Sequence, residues 1–189
     1  MISDRKLISA FIYSAYKSGY CGLNLGIKTK QEHMNLYKNF IKGDSYFPRS
    51  EIDATQKKMM DLVESSGVRD YIYGGHLDVI KDRISKSTGK DFENAVMDNL
   101  NLLPAMSCPV LFYEVIKTNE KSVIGRNLSL RKLEKELYVL DGLEKPKVGD
   151  IISGHWDGFL EIVEDWDDFE KYKIISERYI SSLKRISSK

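Results

Sequence analysis

Seven side chains in this sequence have both the type and the setting to do chemistry. Cys21 lies in the loop Gly19-Tyr20-Cys21-Gly22-Leu23-Asn24-Leu25-Gly26, whose three glycines let the backbone take positive φ and approach another group closely. A thiolate there, activated by neighbouring amides or a metal, would serve as nucleophile or ligand. The plainer reading is a small residue packed under Tyr20. Near the other end, His155 and Asp157 interrupt two apolar runs, Val148 to Gly154 and Phe159 to Val163. If the chain stays extended past Trp156, the two share one strand face and the carboxylate can orient the imidazole. Such a pair suits a metal ligand, a general base or a satisfied buried contact.

The remaining candidates are bound less tightly to one chemistry. His76 follows Gly74-Gly75, and the run Gly75-His76-Leu77-Asp78 echoes Gly154-His155-Trp156-Asp157. On a helix, residues two apart point to different faces, so the echo carries no shared geometry. Cys108 precedes Pro109 at a change of character in the chain and reads first as packing. Tyr20 and Trp156 could line a binding pocket or fill a seam between two domains. The acidic run Glu164-Asp165-Trp166-Asp167-Asp168 reads as a helix start with a solvated face.

The elements that must position these residues fall into two blocks. Ser3 can cap a first helix bearing Leu7, Ile8, Phe11, Ile12 and Ala15 on one stripe. Thr29-Lys30-Gln31-Glu32 has capping-box spacing and opens a second helix, and Ile52 to Glu64 forms a third. From Val68 a fourth helix contains Gly74-Gly75, which costs roughly 1 kcal/mol per glycine against alanine. Close packing against another backbone is the expected compensation, placing Tyr73 and His76 at an inter-element contact. A fifth helix ends at Pro104. Beyond it, Val110–Ile116, Ser122–Ile124, Leu137–Leu140, Asp150–His155 and Phe159–Val163 read as five short strands, enough for a small barrel. Leu130, Leu133 and Leu137 could instead form a short helix. Asp165 caps a terminal amphipathic helix with acids first and Lys184 and Arg185 near its end. The expectation is an α+β protein: a helical domain over residues 1–104, then a barrel with a C-terminal helix over 105–189.

Composition narrows the function classes. Lysine plus arginine (29) nearly balances aspartate plus glutamate (28), a poor footprint for nucleic acid or an anionic membrane. No apolar run reaches the roughly 18 residues of a membrane span, so no membrane partner is expected. The N-terminus does not read as a signal peptide, and the chain is expected to be cytoplasmic. Two cysteines without C-x-x-C spacing argue against a zinc knuckle or a thioredoxin-like site.

The run Val148-Gly149-Asp150-Ile151-Ile152-Ser153-Gly154-His155, followed by Glu161 and an acidic terminal helix, resembles the end of the HypC/HupF hydrogenase-maturation chaperones. Cys108-Pro109-Val110-Leu111-Phe112 stands where that family has its cysteine before a strand, although here the cysteine is internal and Trp156-Asp157 displaces the family's Gly-Phe. The whole chain also resembles an uncharacterised prokaryotic family through Gly19-Tyr20-Cys21-Gly22 and His155-Trp156-Asp157, and that family implies no activity. The first resemblance implies a HypC-like, OB-like barrel and a non-enzymatic, chaperone-like role in hydrogenase or metalloenzyme maturation. The partner would be a metalloenzyme or a maturation factor. It also motivates a centre of iron or another transition metal, held by Cys21 or Cys108 with His155; Tyr20, His76 and Trp156 are the binding candidates that the residues themselves offer. The competing expectation is a cysteine-dependent hydrolase or transferase in which Cys21 is nucleophile, His155 base and Asp157 orienter.

Overall fold

The computed structural model describes residues 4–17, 67–91, 94, 109–129 and 133–187. The loop carrying Tyr20 and Cys21, the expected second and third helices, nearly all of the fifth, and Cys108 lie outside the described residues. Among the described residues, three helical segments pack around five strands. Helix α1 spans Asp4–Lys17. Helix α2 is composite: an α-helical start at Val68–Asp70, a π-helical turn at Tyr71–Gly75 and an α-helical body at His76–Thr88. Helix α3 spans Trp166–Ser187. Among the described residues, no helix is long and apolar enough to cross a membrane.

The strands are β1 (Leu111–Thr118), β2 (Ser122–Asn127), β3 (Glu134–Tyr138), β4 (Ile151–His155) and β5 (Gly158–Ile162). They close into a barrel in the order β1-β2-β3-β5-β4. Neighbours are antiparallel except β3 and β5, which meet in parallel at Tyr138 and Gly158. Leu137 belongs to a strand and not to a short helix: it pairs across the ladder with Val123, and both fill the barrel interior. The turn into β4 is built by its own side chain: Asp150 Oδ2 accepts from the Lys147 amide at 2.7 Å, and Gly149 takes φ +93°.

Alternation along the strands sorts the apolar side chains into two cores. Tyr113, Val115, Val123, Leu137, Ile152 and Phe159 fill the barrel interior. Outside it, Phe112 and Leu160 pack with Leu7, Ala10 and Phe11 of α1, Ile72 and Tyr73 of α2, and Phe169 and Tyr172 of α3. This outer core takes residues from both sides of position 104. α3 is pinned to the barrel by Ser176 Oγ, which donates to the Val110 carbonyl at 2.7 Å. Its first turn is capped by Asp165 Oδ1, which accepts from the amides of Asp167 and Asp168 at 2.9 and 3.2 Å.

Candidate functional site

The outward face of the β4–β5 hairpin is where the polar side chains collect. In β5 one residue is inserted against β4: Ser153 faces Glu161 and Gly154 faces Phe159, so Leu160 has no partner across the ladder. A bulge of this kind re-aims side chains. Here it leaves Phe159 inside the barrel and puts Leu160 in the outer core, with buried Glu161 reaching side chains of α2. Ser153 and His155 of β4 share that outward face.

Two buried clusters follow. In the first, Tyr73 Oη donates to Glu161 Oε1 at 2.6 Å and lies 2.7 Å from Ser153 Oγ. Arg69 Nη2 donates to Glu161 Oε2 at 2.7 Å and its Nη1 reaches Asp4 at 3.2 Å. The Tyr73 ring is stacked between Phe112 and Tyr172, with centroids 5.6 and 4.6 Å away. Burial and the adjacent Glu161 carboxylate hold the phenol well above its ordinary pKa, so it stays a donor. For Arg69, burial pulls the pKa down, but the Glu161 hydrogen bond and charge outweigh it and leave the pKa raised. Beside this cluster opens a cavity of about 70 Å³, bordered by Glu161, Asp165, Asp168, Phe169 and Tyr172. That is far below the several hundred Å³ of a metabolite pocket.

The second cluster surrounds His155, which is 2% exposed. Its ring stacks on Phe11, centroids 4.2 Å apart. Ser14 Oγ donates to the Phe11 carbonyl at 2.7 Å, and His155 Nδ1 lies 2.8 Å from that hydroxyl and 3.2 Å from that carbonyl. A carbonyl only accepts, and the serine proton is already used, so one arrangement satisfies all three contacts: Nδ1 carries the proton and donates. Nε2 is then the acceptor nitrogen. His76 is built alike. It is buried, its Nδ1 sits 3.3 Å from the Tyr71 carbonyl, and its ring centroid is 5.9 Å from that of His155.

The sequence-derived candidates divide accordingly. His155, His76 and Trp156 are buried, and both other rings pack against that of His155. Asp157 requires a correction. The chain does not stay extended past Trp156, which takes φ +52° in a two-residue turn joining β4 to β5. Asp157 is thereby carried to the surface, where it pairs with Lys135 at 3.1 Å. Ser14 and the Phe11 carbonyl fill the orienting role that the two-residue spacing suggested for Asp157. Tyr73 and His76 do lie at an inter-element contact, but the reason given for the glycines changes: among the described residues, a Cβ on Gly74 would meet the Ile175 side chain, at 3.6 Å, and no foreign backbone.

Ser14, Tyr73, Arg69 and Glu161 are the polar residues that sequence reasoning did not place together. Two of them carried a signal: Glu161, as a charge inside an otherwise apolar strand, and Tyr73, beside the paired glycines that pointed to an inter-element contact. Among the described residues, no three His, Cys, Asp or Glu side chains are grouped to hold a metal ion. Comparison with known protein families, curated proteins and solved structures found no match.

Proposed function

We propose that this chain is a non-enzymatic accessory protein of chaperone type that binds a partner protein. The resemblance to HypC/HupF points to a metalloenzyme or one of its maturation factors, hydrogenase maturation being the leading case. The observation that carries this reading is the inward use of the chemistry-capable groups. His155, Tyr73 and Glu161 act as joints between helices and barrel, bonded to Ser14, Ser153 and Arg69. Support also comes from the barrel, whose strand order with β3 and β5 parallel is that of small OB-type barrels. The resemblance itself rests on the Val148-Gly149-Asp150 turn and on His155.

A transition metal fits the described residues only in part. His155 and His76 each donate Nδ1–H toward a backbone carbonyl, the arrangement that metal-bound imidazoles use to present Nε2. A third donor is needed, the role given to Cys21 or Cys108, and no step is derived through the metal. The cysteine-dependent hydrolase or transferase reading keeps one supporting observation, a buried His155 whose Nδ1 is held by Ser14 and the Phe11 carbonyl in the place given to Asp157.

Affinity capture of the full chain from its host, with crosslinking and mass spectrometry, tests the proposal. A metalloenzyme or maturation factor should be recovered and be displaced by untagged protein. Recovery of none, together with Cys21-dependent turnover of thioester or amide substrates, would replace this reading with the hydrolase.

A further inference from the structure

We draw no further inference here: the strongest candidate, the small cavity between the last hairpin and the start of α3, belongs to the site already described, its carboxylates serve the Arg69–Glu161 pair and the helix start, and nothing in the structure shows what covers it.

Discussion

Ser14 illustrates how much one hydroxyl can decide. Its proton goes to the Phe11 carbonyl and its lone pair receives His155 Nδ1–H, so it fixes both the tautomer and the ring plane of a buried imidazole. Ser14→Ala leaves that N–H with the longer carbonyl contact, and the loss should be about 1 kcal/mol in urea unfolding. Tyr73→Phe should cost more, about 2 to 3 kcal/mol, because it keeps the ring stacking yet strips a donor from a buried carboxylate. If the two variants rank the other way, His155 and not Glu161 is the tighter joint. The sequence marked Tyr73 for an inter-element contact but gave no partner for it, and it did not mark Ser14 at all. Ser14 lies 141 residues from His155, and nothing in a helical stripe marks which serine will face a distant ring.

At the level of elements, two glycines make opposite predictions. Gly158, at the start of β5, lies so close to α1 that a Cβ would stand 2.6 Å from Ser14 Cβ and 3.1 Å from Tyr138 Oη. Gly158→Ala should destabilise by about 1 to 3 kcal/mol, since neither the helix nor the strand can withdraw. Gly74, in the π-helical turn, has room for a methyl group against Ile175. Gly74→Ala should therefore be neutral or stabilising by up to about 1 kcal/mol, read from the same thermal or urea curves. Four of the strands and the terminal helix were legible because period two and period 3.6, turn residues and an N-cap aspartate agree there; the third was expected at Leu137–Leu140 with a helical alternative, and the strand runs Glu134–Tyr138. The β5 bulge and the turn at Trp156 were not legible. A non-glycine residue at positive φ gives no local signal, and the alternation that made His155 and Asp157 look like neighbours on one face holds only while the strand continues.

The molecule as a whole is unusually rich in buried phenols. Burial raises the pKa of Tyr73, Tyr138, Tyr172 and Tyr13, and pushes Tyr113 up to about 12. Below pH 10 folded and unfolded chains both hold these protons, and the folded state has its full stability. Above it the unfolded chain loses protons that the folded one retains, so stability falls as pH climbs toward the folded values. Each phenol held neutral in this way lowers stability by about 1.4 kcal/mol per pH unit. Cooperative unfolding between about pH 10 and 12 is expected, with tyrosinate absorbance rising together with the loss of circular dichroism. Tyrosinate that forms gradually while the dichroism holds would mean that these rings reach solvent in the native state.

The contact between α1 and the last hairpin also constrains how the chain is made. Because Phe11 and Ser14 close on His155, and Leu7 on Leu160, the first helix leaves the ribosome long before the surface it covers has been translated. Until β4 and β5 emerge, its apolar stripe has no barrel to lie on, and contacts of such long sequence separation slow folding. The nascent protein therefore depends for a time on whatever shields that stripe, and an arrested chain lacking the hairpin should be lost to proteolysis.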